Sequence, residues 1–526
     1  MIRLKDLSVS IHGIPILNGI NLDMADGSIT GLVGESGSGK SMTALAIIGL
    51  LPRGAKTAGR IEFDGQDLLT LTEAQMRKLR GLKIAMIFQE PMTALNPLMT
   101  IGDQVAEALI LAGIPRAEAL ARARARLDRV GLTEPRFPLS LYPHELSGGQ
   151  RQRVAIALAI VERPDLLIAD EPTTALDVTT QAQILDLLRG LVRDEGMTLL
   201  LITHDLAVVA GLADQVAVIK AGAIVEAGPT ETVFREQKAP YTRELFAASN
   251  HQPARVAVDK DNAPPLLQVE GVTREYILSG HLAPDGTRTL RAVDQASLVM
   301  DKGESVGLIG PSGCGKSTLT RAILGLDPIQ GGRILLDGAE VKAGRAMPAA
   351  LRAKVQVVFQ DPFASFDPRW RVERLVAEPY HLTKRPANWR DQVAEALAEV
   401  GIGPEAMRRY IHEFSGGQRQ RIAIARALLI RPKLIVLDEA VSALDVRVRA
   451  QVLDLLARLR REFGLSYLFI SHDLSVVRQI TDRVAIMDNG RIVETGATAQ
   501  VMDHPSHPAT QRLAAAVPRI PADWHP

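Results

Sequence analysis

Gly34-Glu-Ser-Gly-Ser-Gly39-Lys40-Ser41 follows an apolar run, Ile29 to Val33, and opens a helix-patterned stretch, Ser41 to Leu50. A buried strand, a glycine-rich loop and a helix in that order curl the backbone so that several N–H groups face one point. The helix N-terminus adds its partial positive charge, and the resulting nest holds di- and triphosphate anions. In such a loop Lys40 reaches the β and γ phosphates and the Ser41 hydroxyl can ligate Mg²⁺. A turn that merely caps a helix accounts for the glycines but not for the Lys-Ser behind them. The stretch also occurs twice, returning as Gly310-Pro-Ser-Gly-Cys-Gly315-Lys316-Ser317 after the apolar run Ser305 to Ile309. The expected phosphate-facing residues are Gly34, Ser36, Gly37, Gly39, Lys40, Ser41 and Met42 in the first loop. In the second they are Gly310, Ser312, Gly313, Gly315, Lys316, Ser317 and Thr318.

Working outward, everything near these loops is duplicated. Gln89 returns as Gln360, Leu146-Ser147-Gly-Gly149-Gln150 as Phe414-Ser415-Gly-Gly417-Gln418, Asp170-Glu171 as Asp438-Glu439, and His204 as His472. The offset is 276 at the lysines, 271 at the glutamines and 268 from the serines to the histidines. A constant offset over the last stretch means two copies of one domain with small loop changes upstream. The boundaries fall at 1–249 and 266–519, with a Pro-containing linker at 250–265 and a tail at 520–526. An extra loop in copy two, Leu278 to Arg288, reads as an extended turn between early strands.

The 526 residues allow two copies of roughly 250, each large enough for its own core. A net charge of +1 removes any bulk electrostatic case for nucleic acid or an anionic membrane. The single cysteine, Cys314, excludes an internal disulfide and a thiolate metal set. No run of about 18 apolar residues occurs, so no helix is expected to cross a bilayer, and membrane contact must go through a partner.

Within each copy, apolar strands alternate with amphipathic helices, the pattern of a parallel α/β core. Leu166-Leu-Ile-Ala-Asp170-Glu171 and Leu434-Ile-Val-Leu-Asp438-Glu439 are apolar strands that end in paired carboxylates. Ligands sit at the carboxyl ends of such strands. Asp170 and Asp438 are therefore placed on the cation, and Glu171 and Glu439 on the attacking water. A lone Asp-Glu after a strand usually caps the next helix. Its pairing with a phosphate loop, in both copies, argues for chemistry instead.

Phosphate loops alone leave kinases, GTPases and helicases open. Leu146-Ser-Gly-Gly-Gln150 with Arg151-Gln-Arg153, and Phe414-Ser-Gly-Gly-Gln418 with Arg419-Gln-Arg421, narrow the choice. Together with Ala175-Leu-Asp177, Ala443-Leu-Asp445 and the residues above, the chain resembles the ATP-binding cassette (ABC) ATPases over nearly its whole length. The resemblance implies two tandem P-loop domains, each with a mainly parallel sheet core, an antiparallel β subdomain and a helical subdomain. It also implies ATP with Mg²⁺, held by Ser41, Gln89 and Asp170 in one site and by Ser317, Gln360 and Asp438 in the other. His204 and His472 are the expected switch histidines. Each site is expected to borrow from the other copy: Ser415, Gly417 and Gln418 for site one, Ser147, Gly149 and Gln150 for site two. Adenine is expected to stack on Tyr276 in copy two. The matching position, Ile11, is not aromatic, and His12 is the stand-in.

Gln89-Glu-Pro-Met-Thr-Ala-Leu-Asn-Pro97, Gln360-Asp-Pro-Phe-Ala-Ser-Phe-Asp-Pro368 and Ala239-Pro-Tyr-Thr242 resemble the dipeptide, oligopeptide and nickel importer group. That resemblance implies a peripheral subunit on the cytoplasmic side of the inner membrane, two permease subunits and a separate solute-binding protein. A soluble two-cassette translation factor would carry a long charged linker. A sugar- or cobalt-type importer ATPase would carry one degenerate site in the sugar case, and a DNA-repair cassette long coiled-coil or zinc inserts. None of these fits as well.

Overall fold

The computed structural model describes residues 2–89, 94–174, 176–254, 264–277, 289–361, 363–442 and 444–524. The 278–288 loop, most of the linker, the residues directly after Gln89, Pro362, Ala175 and Ala443 lie outside them.

Each copy carries a six-stranded sheet. In copy one the order is Ala223–Pro229, Gln215–Lys220, Ile29–Val33, Thr198–Thr203, Leu166–Asp170, Ile84–Ile87. Only the first pairing is antiparallel. All five residues of Ile29–Val33, all five of Leu166–Asp170 and all six of Thr198–Thr203 are buried. This is why these strands read as unbroken apolar runs: a parallel sheet is covered on both faces. The register sets the ends level, with Val33 opposite Thr203, Asp170 opposite Ile202, and Ile87 opposite Ala169. The phosphate loop, His204, Glu171 and Gln89 therefore emerge side by side from one edge. Copy two repeats the order with Val355–Val358, Leu434–Asp438, Ser466–Ile470, Ser305–Ile309, Arg483–Asp488 and Arg491–Ala497.

A four-stranded antiparallel sheet accompanies each core, built on Ile2–Ile11 in copy one and Leu267–Ile277 in copy two. The helical subdomain of copy one contains Ile101–Leu111 and Arg116–Arg129. That of copy two contains Val372–Val376 and Trp389–Glu399. Eight helices organise the site: α1 (Lys40–Ile47), α2 (Gly148–Ala159), α3 (Val178–Glu195), α4 (Pro240–Ser249), α5 (Lys316–Ile323), α6 (Gly416–Leu428), α7 (Val446–Phe463) and α8 (Pro508–Ala516).

The two copies exchange their C-terminal helices: α4 packs on α7, and α8 packs on α3. Val178 is buried in the core of copy two and Val446 in the core of copy one. His251, just past α4, meets Asp454 on α7 at 2.7 Å. The tail that begins at Ile520 is docked on copy one. Ile520 and Trp524 pack against that copy's core, and the Trp524 ring meets Phe234 edge-on at 5.7 Å. Arg235 pairs with Asp523 beside them. Aromatic pairs add about 0.5–1.5 kcal/mol to the area they bury. Trp524→Ala is therefore expected to lower the unfolding free energy of copy one by about 1 kcal/mol, read in a denaturant titration. An unchanged midpoint would mean the tail does not hold that copy.

Candidate functional site

Gly39 and Gly315, at φ 109° and 106°, turn the chain into α1 and α5. A Cβ on Gly34 would lie 2.3 Å from the Ile219 carbonyl oxygen, and one on Gly310 would lie 2.1 Å from that of Met487. The loops thus press against the neighbouring strand, and only glycine fits there. Lys40 Nζ donates to the carbonyls of Gly34 at 2.8 Å and Glu35 at 2.9 Å. Lys316 makes the same pair with Gly310 and Pro311 at 2.7 and 2.9 Å. Burial pulls Lys40 below its ordinary pKa, against the charges of Glu171 and Asp170.

The neighbouring carboxylates are driven in opposite directions. Burial raises Asp170, and the charge of Glu171 adds to this, while the Ser41 hydroxyl and Lys40 oppose it. One Asp170 oxygen is buried with no hydrogen-bond partner. An orphaned carboxylate oxygen beside a serine hydroxyl is a donor set that suits a hard cation such as Mg²⁺. Asp438 is likewise raised, by burial and then Glu439.

Glu171 takes the left-handed conformation at φ 47°, and Glu439 takes it at 49°. The Glu171 carboxylate accepts from Gln89 Nε2 at 3.0 Å and Thr174 Oγ1 at 2.8 Å, and meets His204 Nδ1 at 3.1 Å. Burial pushes Glu171 up, but the His204 hydrogen bond and charge, Thr174 and Lys40 outweigh it and hold the carboxyl at about 2. Glu439 meets His472 Nδ1 at 3.0 Å. Burial raises it too, and His472, Lys316 and Gln360 together hold it below its ordinary value. The copies differ beside the glutamate: Ser442, in the place of Thr174, bonds the Glu439 backbone carbonyl instead of the carboxylate.

The remaining expected residues fall into two groups. Ser147 and Ser415 cap α2 and α6, and Gln150 and Gln418 return the bond in reciprocal capping boxes. These two glutamines, expected on ATP, are engaged in holding the helix start. A Cβ on Gly149 would lie 2.3 Å from Thr180 Cγ2, and one on Gly417 2.3 Å from Val448 Cγ1, so both glycines also answer to packing. Tyr276 donates to Asp327 at 3.2 Å, and the Arg274 guanidinium covers one ring face at 4.4 Å. At the copy-one position His12 lies against the Gly54 turn.

Sequence reading missed several contacts. Asp177, capping α3, also takes a hydrogen bond from the Ser312 hydroxyl of the opposite phosphate loop. Asp445 lies close enough to Lys40 to raise its proton affinity. Tyr241, read as a mark of the importer group, accepts from the Glu35 backbone N–H at 3.2 Å and so ties α4 to phosphate loop one. Asp205 and Asp473, each following a switch histidine, face one another across the copies. Burial and Asp473 raise Asp205, while Arg449 at 2.9 Å is the chief influence holding Asp473 below its ordinary value against its burial.

Comparison with known proteins fits this geometry. The ABC transporter family model matches residues 17–174 and again 293–442. A model of the oligopeptide/dipeptide transporter C-terminal region matches 493–526. The chain is 46% identical over 534 residues to the peptidoglycan transport ATP-binding protein YejF of Agrobacterium fabrum, covering 99% of this chain and 97% of that one. It is 44% identical over 543 residues to the glutathione import ATP-binding protein GsiA of Escherichia coli, covering 96% and 87%. Among solved structures, the ATP-binding cassette MJ0796 bound to ADP and Pi is 32% identical, covering 44% of this chain and 99% of that one, at a TM-score of 0.40. With both sets of ATPase motifs at the level ends of two matching sheets, and with relatives that align from end to end, the chain belongs to the ABC transporter family as an ATPase with two fused nucleotide-binding domains.

Proposed function

We propose that this ATPase energises uptake of a peptide or a related small solute through two partner permease subunits, with a separate protein delivering the solute. It acts as a peripheral subunit on the cytoplasmic side of the inner membrane. The observation that carries the mechanism is the crossing of the copies: the aspartate before α3 takes a hydrogen bond from Ser312 in phosphate loop two, and the start of α7 meets phosphate loop one where Arg447 pairs with Glu35 at 3.0 Å. A domain whose catalytic edge faces its twin in this way forms its sites jointly.

Site one would join Lys40, Ser41, Gln89, Asp170, Glu171 and His204 with Ser415 and Gly417 at the N-terminus of α6. Site two would join Lys316, Ser317, Gln360, Asp438, Glu439 and His472 with Ser147 and Gly149 at the N-terminus of α2. Helix N-termini favour an anion, so each would close on the γ-phosphate held by the other copy. Ser41 and Asp170 with Gln89 (Ser317, Asp438 and Gln360 in site two) would hold Mg²⁺, which when bound would neutralise phosphate charge. Glu171 and Glu439 orient and polarise the attacking water, and the histidines hold those carboxylates in place.

The surface after the glutamines is where permease helices would dock. A cleft of about 600 Å³ opens beside Gln360 and Asp438, walled by Phe359, Ala364, Pro379 and Arg426. Phe88, Leu98, Phe359 and Phe363 are exposed around Gln89 and Gln360 and the segments that follow them. Relatives named for peptidoglycan transport and glutathione import, and the shared oligopeptide/dipeptide C-terminal region, favour a peptide-like cargo over nickel. No described helix is long and apolar enough to cross a membrane, so the permeases would provide the path.

Glu171→Gln and Glu439→Gln should each lower turnover at their own site by about 10²–10⁴-fold, and each should stop most solute uptake with the cognate permeases in membranes. ATP hydrolysis that ignores the permeases and answers to ribosomes would refute the importer reading. The pH dependence tests the histidine contact. Glu171 acts as a carboxylate, so activity falls as pH drops through its pKa. Held at about 2, it should impose no acid limb between pH 5 and 8. His204→Ala removes the strongest downward influence and leaves burial unopposed by it. Read in a Glu439→Gln background, kcat should then decline on the acid side at distinctly higher pH. An unchanged profile would show that His204 does not tune the carboxylate.

A further inference from the structure

The two crossings between the copies are not chemically alike. Arg447, two residues past Asp445, brings its guanidinium to 3.0 Å from the Glu35 carboxylate in phosphate loop one and to 3.6 Å from Glu244 on α4. The pseudo-equivalent residues on the other side are Thr179 and Pro311, with Arg512 in the place of Glu244. None of them can repeat the pair. There the contact is the neutral hydroxyl of Ser312 on Asp177. Glu35 Oε1 is buried without a hydrogen-bond donor, so the Arg447 charge is what offsets it. The backbone N–H of the same Glu35 is held by Tyr241 on α4, one helical turn from Glu244. The counterpart of Tyr241 in copy two is Ala509. Phosphate loop one, α4 and the start of α7 therefore meet at a single arginine, and among the described residues site two has no such junction.

We propose that Arg447 is a positioning residue for ATP at site one. Through Glu35 it holds the start of α7, and with it Asp445, against phosphate loop one before the copies close. Ordering this contact in advance reduces what ATP binding must spend on bringing the copies together. The effect would favour the site that lacks an aromatic residue at Ile11, leaving nucleotide affinity there dependent on the other copy's charge. The inference rests on the assignment of Lys40 and its loop to an ATP site.

The test uses the full chain with site two silenced by Glu439→Gln, so that hydrolysis reports site one. KM and kcat for ATP are measured for Arg447→Thr, Glu35→Gln and their combination. Although the paired oxygen is buried, the two side chains are 40% and 29% exposed, and a pair so screened by solvent is worth at most about a fivefold change, so each single variant should raise KM about two- to fivefold with kcat little altered. The double variant should be no worse than either single, because both remove the same contact. The charge-swapped pair Glu35→Arg with Arg447→Glu should recover part of the loss. Unchanged KM in the singles, or effects that simply add in the double, would overturn the proposal. Lys40→Ala serves as the control: if it leaves hydrolysis intact, the site assignment itself fails, independently of Arg447.

Discussion

Val178 and Val446 are the hinge pins of this molecule. Each follows the aspartate that caps its helix, and each is buried in the core of the other copy. Removing one from water is worth about 1.5–3 kcal/mol, and the exchanged helices α4 and α8 extend the contact on either side. This apolar crossing puts Asp177 beside phosphate loop two and Asp445 beside phosphate loop one. Without it, two complete sets of phosphate-binding residues would sit on one chain with no way to act on each other.

The chemistry depends on a second constraint, the level ends of the buried strands. Because Val33, Asp170 and Thr203 end in register, the lysine, the two carboxylates and the histidine converge without a long loop to position them. The low-dielectric edge then separates adjacent carboxylates. Asp170 keeps an unpartnered oxygen and a raised pKa, while Glu171, ringed by Gln89, Thr174 and His204, stays ionised. In the proposed mechanism the first would be left for a cation to neutralise and the second for a water to approach. Copy two has the same plan with fewer donors on its glutamate, so the two sites are related in design and unequal in detail.

Much of this was legible in the residues. The strand–loop–helix order, the carboxylate pairs and the histidines are local patterns repeated at a fixed spacing, and local backbone geometry makes them readable. The contacts that escaped are those set by distant packing. Tyr241 reaches Glu35 across 206 residues, and Trp524 finds Phe234 on the other copy. Gln150 and Gln418 were placed on ATP by their motif; the fold adds that their side-chain oxygens also close the capping boxes of α2 and α6, a pattern S-x-x-Q before a helix carries as well. The asymmetry at Arg447 is visible in the alignment of the copies, as Arg against Thr, but only the fold shows that Glu35 lies opposite it.

The account stands on the two copies closing on ATP at their shared edge. Spin labels at exposed Lys56 on the β subdomain of copy one and Arg408 on the helical subdomain of copy two would report that movement by pulsed electron–electron double resonance. The labels require Cys314→Ser, the residue copy one already has at Ser38. In the Glu171→Gln, Glu439→Gln background, Mg-ATP should shift the distance distribution to a shorter, narrower population, and Mg-ADP should leave it where it was. A distribution indifferent to Mg-ATP would contradict shared sites and leave two ATPases that merely travel on one chain.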